Sequence, residues 1–256
     1  MTCARACLFP LLSEGITTMT MSRFTCLAAA LFCAGLPALA QTPAVPEGCE
    51  AVLSVQSQGC AATLYWRCES APEGTLFQAS YGEEGATAVS VFDAEFQWLD
   101  SRHFADGSQE VLQLPAEEPA SLSELLEEGR DSYEFIIEES GPGYDREIMH
   151  RGFDQLTGNT REIDGEELLE TEFTATASDL STGEVLYSVS GIQYVLEDER
   201  LFLLGTEVFE QSGQTIESDL DPVRIRRPGE AGFGDVVPRY GCDAPADISY
   251  RIEALR

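Results

Sequence analysis

Two histidines, His103 and His150, are the only imidazoles in the chain, and 46 residues separate them. Either could serve as a general base or a metal ligand, but such work needs partners at defined spacing. Neither has a nearby cysteine or a second histidine. Each lies in or just after a short apolar alternation, so both read as strand-end residues. The chain has no G-x-S-x-G, no H-E-x-x-H, no Walker loop and no G-x-G-x-x-G. Catalytic and metal assignments are therefore left empty, and no cofactor signature stands out.

Carboxylates could do acid–base chemistry without histidine. With 45 Asp and Glu in 256 residues, however, chance supplies many pairs at glycosidase spacing. Glu197-Asp198-Glu199 and Asp219-Leu220-Asp221 offer oxygen ligands, yet neither follows an EF-hand loop. They read as solvated turn acids. Arg224, Arg226 and Arg227 form the one basic cluster. It could contact an acidic partner, or Arg224 and Arg226 could project from one strand face and pair with nearby acids. In so acidic a chain the second reading is the stronger. Trp66, Phe96 and Trp98 are the ligand-lining candidates, set against the commoner role of strand aromatics, filling a core.

The 15 basic residues are all arginine, and the formal net charge is −30. That excludes a phosphate-neutralising nucleic-acid binder and disfavours adsorption to anionic lipid. Hydrophobic residues at 43% suffice for a real core.

Residues 1–20 read as an over-extended gene start, and 21–40 as a signal peptide. Arg23 supplies the positive start, Phe24 to Leu36 an apolar run, and Ala38-Leu39-Ala40 the cleavage site, leaving Gln41 first in the mature chain. The apolar run, about 13 residues, falls short of the roughly 20 needed to span a bilayer. The expectation is a soluble periplasmic or secreted bacterial protein. Its partner would be an apolar small molecule or an envelope protein, with no nucleic acid and no membrane span.

The leader removes four cysteines and leaves Cys49, Cys60, Cys68 and Cys242, an even number suited to two disulfides. A hairpin turning on Gln58-Gly59 pairs Ser57 with Cys60 and sets Cys49 opposite Cys68. Cys60 and Cys68 on one extended strand would stand about 26 Å apart, beyond disulfide reach. The favoured pairing is Cys49–Cys68 with Cys60–Cys242. This register makes 49/68 a hydrogen-bonded pair, the wider of the two antiparallel spacings.

Residues 41–256 read as a single β-rich domain. Short apolar/polar alternations are broken by Gly82-Glu83-Glu84-Gly85, Ser140-Gly141-Pro142-Gly143, Ser181-Thr182-Gly183, Glu197-Asp198-Glu199 and Ser212-Gly213. Residues 171–218 hold four sequential strands, with a bulge expected at Gly191. FDAEFQWLD (92–100) reads as one strand with Phe92, Ala94, Phe96 and Trp98 on one face, pointing into a filled core. On its other face Asp93, Glu95 and Gln97 need water or partners. Residues 121–128 carry a capping box, Ser121 with Glu124, closed by Gly129. The fold class is mainly β: an antiparallel meander forming a curved sheet or partly open barrel, with one short helix and two disulfides.

The segments ATLYWRCE, FDAEFQWLDS, GFDQLTGNTREIDGEELLETEFTATASD, RLFLLGTEVFE and RYGCDAP together resemble a small family of exported alphaproteobacterial proteins of unknown function. The resemblance covers most of residues 47–245 and implies export. The meander is more loosely similar to the half-barrel of periplasmic lipoprotein carriers, an analogy of fold alone. The leading functional expectation is a non-enzymatic envelope protein that binds, carries or supports. The alternative is a periplasmic hydrolase working through carboxylates.

Overall fold

Among the described residues thirteen strands follow one another with a single helix among them. In chain order they are β1 (Cys49–Ser57), β2 (Ala61–Cys68), β3 (Leu76–Gly82), β4 (Gly85–Phe92), β5 (Trp98–His103), β6 (Gln109–Leu112), α1 (Leu122–Glu128), β7 (Arg130–Gly141), β8 (Tyr144–Ile163), β9 (Glu166–Asp179), β10 (Val185–Leu196), β11 (Leu201–Gln211), β12 (Gln214–Asp219) and β13 (Pro222–Arg226). The computed structural model describes residues 45–243; the predicted gene start and signal peptide lie outside them.

Every strand belongs to one antiparallel sheet, a meander from β1 to β12 with β13 added beyond β1, and the sheet does not close into a barrel. Its two ends are consecutive in the chain. Leu220 N–H donates to Gly205 O on β11 (2.9 Å), and the next carbonyl, Asp221 O, accepts from Gln58 N–H beside β1 (2.9 Å). The sheet curls far enough for distant strands to share a core. Leu53, Val55, Tyr65, Leu76 and Ile225 from one end meet Leu168, Leu196, Leu201 and Leu203 from the other. This cluster is the filled apolar interior.

The disulfides are Cys49–Cys68 and Cys60–Cys242, with Cα atoms 4.0 Å and 4.5 Å apart. The expected register needs two corrections. Ser57 pairs with Ala61, one residue beyond Cys60, and a register shift between Ala51 and Leu53 restores Cys49 to its place opposite Cys68. The 49/68 pair is also the narrow, non-hydrogen-bonded kind. Cys49 N–H donates to Pro46 O, while Glu69 N–H reaches past the pair to Gly48 O.

The second disulfide pins the segment after β13 across the outer side of β1 and β2. There Gln56 Nε2 donates to Asp235 O (2.8 Å) and Val237 O (3.1 Å), and Val236 packs with Leu64, Trp66 and Ala79.

β9 to β12 occupy the region read as four strands, and the register shifts at Gly191, as expected. The reason for glycine is steric. A Cβ there would stand 1.9 Å from Thr206 O on β11.

The helix follows its capping signals. Ser121 Oγ accepts from Glu124 N–H (3.2 Å), and Gly129 takes a left-handed φ of 80°. The reciprocal half of the box is made otherwise: Ser121 N–H donates to Asp131 Oδ2 (2.8 Å). Leu122 and Leu125 then bury against Val195.

Residues 92–98 overturn the single-strand expectation. β4 ends at Phe92 and β5 begins at Trp98, which pair directly across a tight turn. Asp93 makes the turn, its Oδ1 accepting from Glu95 N–H (2.9 Å) and Gln97 N–H (3.0 Å). A short acidic side chain that caps its own backbone beats the apolar alternation around it. Phe96 adopts a left-handed φ of 60° within the turn. Gln97, placed by the alternation on a solvated face, is instead buried, with Oε1 accepting from Ala120 N–H (2.7 Å).

Candidate functional site

Side chains of a strand alternate between faces, so pairing register arranges one face into rows. On the face of β7 to β11 that carries α1 the first row is Asp131, Asp154, Phe173, Gly191 and Glu207. The second is Tyr133, Gly152, Ala175, Val189 and Phe209. Phe135, His150, Ala177 and Tyr187 make the third. Small residues form the floor and aromatic rings stand on either side. Tyr133 lies over Gly152, where an added Cβ would come within 2.6 Å of its hydroxyl.

The rings form a chain across five strands. Trp98 meets His150 edge-on (5.7 Å between centroids), and His150 stacks on Phe135 (5.5 Å) and touches Tyr187 (6.2 Å). Tyr187 stacks on Phe209 (5.1 Å), and Tyr133 lies against Phe135 (5.6 Å). Trp98, Tyr133 and Tyr187 are each partly exposed. Trp98 therefore stands at the margin of an aromatic wall, apart from the cluster of Leu53 and its neighbours.

His150 corrects a second expectation. It sits in the middle of β8, 5% exposed, rather than at a strand end. Burial among rings disfavours the imidazolium and lowers its pKa to about 4. His103 does end its strand, and its Nε2 lies 2.7 Å from Glu110. The hydrogen bond to Glu110 raises its pKa.

The three aromatic candidates do not come together. Trp66 faces the opposite side of the sheet, stacked on Phe77 (5.8 Å) under Val236. Phe96 stacks on Phe92 (4.2 Å) and tilts against Phe202 (5.3 Å). Only Trp98 belongs to the wall.

The basic cluster is spent on acids. Arg224 (3.1 Å) and Arg226 both bind Asp164, and Arg227 bridges Glu166 and Glu199. Two of the turn acids are held as well: Glu199 by Arg67 and Arg227, and Asp221 by Arg161. Among the described residues one grouping has metal-ligand proximity, Cys60, Glu83 and Cys242, and both of its sulfurs are joined in a disulfide.

Sequence reasoning missed the carboxylates of the first row. Asp131 and Asp154 pair directly across β7 and β8, at 3% and 7% exposure. Asp154 Oδ1 accepts from Gln193 Nε2. Burial, reinforced by the charge of Asp131, raises the Asp154 pKa to about 7. Burial likewise raises that of Asp131. Tyr133 is pushed up too, by burial and then by these two acids. A signal was present: Asp131 shares its phase with Tyr133, Phe135 and Ile137, and Asp154 shares its phase with Ile148 and His150. An acid in the apolar phase of a strand marks an inward carboxylate.

Two depressions lie elsewhere. One, about 230 Å³, is lined on the opposite face by Thr174, Thr176, Ser188 and Ser190, with Val208 and Glu210. The other, about 500 Å³, is lined by Asp145, Arg146, Glu147, Asp179, Leu180 and Ser181. Trp66, Phe96, Trp98 and the buried acids line neither. No known protein family, curated protein or solved structure matches the chain.

Proposed function

We propose that this is an exported, non-enzymatic binding or carrier protein that takes an apolar or aromatic small molecule along the aromatic face of β7 to β11. The observation that carries this reading is the continuous chain of six rings from Trp98 to Phe209, three of them partly open to solvent. Aromatic faces of this kind give large contact area at little conformational cost. Two disulfides favour an oxidising compartment. Among the described residues no helix is long and apolar enough to cross a membrane.

A carboxylate-dependent hydrolase finds support in the Asp131/Asp154 pair, because unequal acids are what general acid–base work requires. Its weakness is access. Both carboxylates are nearly closed from solvent, and neither lines either of the two depressions described above.

The test uses the chain's two tryptophans. With Trp66→Phe, Trp98 becomes the sole indole reporter. Binding of a neutral apolar fluorophore, Nile red, should quench or shift Trp98. Trp98→Ala and Tyr187→Ala should each weaken that binding about tenfold, equivalent to about 1.4 kcal/mol, with small change in melting temperature. Native mass spectrometry of envelope-purified protein should show a retained apolar molecule. Absence of dye binding, with a bare protein mass, overturns the reading.

A further inference from the structure

Asp131 and Asp154 stand opposite each other on adjacent antiparallel strands, where Cβ atoms are about 4.5–5.5 Å apart. Both are buried. Among the described residues neither takes part in an ion pair with an arginine or histidine. The charged groups felt at this site, among the described residues, are acids. β7 contributes Tyr133, α1 contributes Glu124, and the turn before β5 contributes Glu95. Tyr187 of β10 lies near Tyr133, and Glu207 of β11 closes the same row. Arg200 is engaged by Glu95, and Arg130 by Gln155.

Two such carboxylates cannot both ionise at little cost. One atom identifies where the missing proton is felt. Asp131 Oδ1 is buried and has no hydrogen-bond partner, while Oδ2 accepts from Ser121 N–H. A proton on Asp154, opposite it in register, would supply the donor that Oδ1 lacks, and Gln193 Nε2 donates to Asp154 Oδ1.

The same two residues join separate elements. Asp131 fastens the first residue before α1, and Asp154 reaches across β9 to Gln193 on β10. α1 is seated on the sheet beside them through Leu122, Leu125 and Val195. We propose that Asp131 and Asp154 share a single proton, and that its loss to water as the medium turns alkaline loosens the seat of α1, making the pair a pH-responsive latch between helix and sheet. The raised pKa of Asp154, to about 7, sets the range in which the latch works. The sign follows from linkage: a carboxyl that binds its proton more tightly when folded stabilises the fold at acid pH, and that contribution fades as pH rises through its folded pKa.

The test has two independent arms on the full mature protein. Carbon-13 NMR of aspartate-labelled protein should show one aspartate carboxyl titrating near neutrality, and Asp154→Asn should remove it. If every aspartate titrates below about pH 5, the shared proton does not exist and the proposal is overturned. In the second arm, amide exchange across Ser121 to Leu125 is compared between wild type and Asp154→Asn. At about pH 8 the wild type should exchange at least about tenfold faster than the variant, and at about pH 5 the two should agree. Equal exchange at both pH values overturns the latch even where the titration is found. Bound apolar ligand plays no part in either readout, so failure here leaves the binding reading standing.

Discussion

Two cross-strand pairs of carboxylates lie on the same face of the same sheet, one against His103 and the other two rows beyond His150, and the two regions have solved that problem in opposite ways. At one end Glu110 pairs with Glu139. There His103 holds Glu110, while Arg146 (2.6 Å) and the Tyr144 hydroxyl (2.8 Å) hold Glu139. At the other, Asp131 pairs with Asp154 two rows beyond His150, with amide donors and the Tyr133 ring but no ion-pair partner among the described residues. Three cross-strand pairs lie between them: Ile137 with Ile148, Phe135 with His150, and Tyr133 with Gly152. Strand register alone makes like charges face each other in both places. What differs is whether a cation follows them inside. Where one does, histidine becomes more basic; where none does, histidine stays neutral and a carboxyl keeps its proton. One sheet face thus holds a charged, paired end and a neutral, proton-dependent end.

The largest expected effect that sharpens this contrast is at His150. Its pKa lies well below the unfolded value, so its contribution is present above about pH 6.5 and is lost as pH falls towards 4. The shift corresponds to about 3 kcal/mol, and His150→Phe should remove that share of acid destabilisation while keeping the ring stack. Denaturant melts of both proteins across the acid range measure it; parallel pH curves for the two would break the contrast.

At the paired end, Arg146→Met should cost about 2 kcal/mol by stranding the carboxylate of Glu139, which is 5% exposed. The double variant with Glu139→Gln should recover most of the loss. Failure of that rescue, read in the same melts, would show that Arg146 acts by packing alone.

The smallest effect is at His103. Its pKa is raised, so its stabilisation is present below the unfolded value and fades as pH rises through the folded one. His103→Gln should lose about 0.5–1 kcal/mol at about pH 6 and nothing at about pH 9. A deficit that is the same at both pH values would mean the pair with Glu110 owes little to charge.

Much of the architecture was legible because it rests on local physics. Turn residues, period-two alternation, the helix caps and the glycine bulge each act over a few residues, and outside residues 92–100 and the turn at Gln58-Gly59 they appear where their signals stood. Both disulfides were legible too, since four cysteines and one hairpin leave few geometries. That pairing survived a turn misplaced by one residue, because a compensating shift near Val52 restored it. The candidate site was legible in one residue of three. Trp98 reached the aromatic wall, whereas Trp66 and Phe96 went elsewhere.

By itself, the sequence determined an acidic, arginine-only, disulfide-stapled antiparallel meander with one short helix. Only the tertiary structure decided the rest. Asp93 turned an apolar alternation into a hairpin, since capping two backbone N–H groups outweighed continuing the strand. Arg224, Arg226 and Arg227 were neutralised by Asp164, Glu166 and Glu199, acids distant in sequence and brought close by the curl of the sheet. Asp131 and Asp154 became a pair through the register of β7 and β8, and they remain a pair without a cation because what surrounds them comes from α1, β9 and β10. Charge counts belong to the chain, but the partner of each charge belongs to the fold.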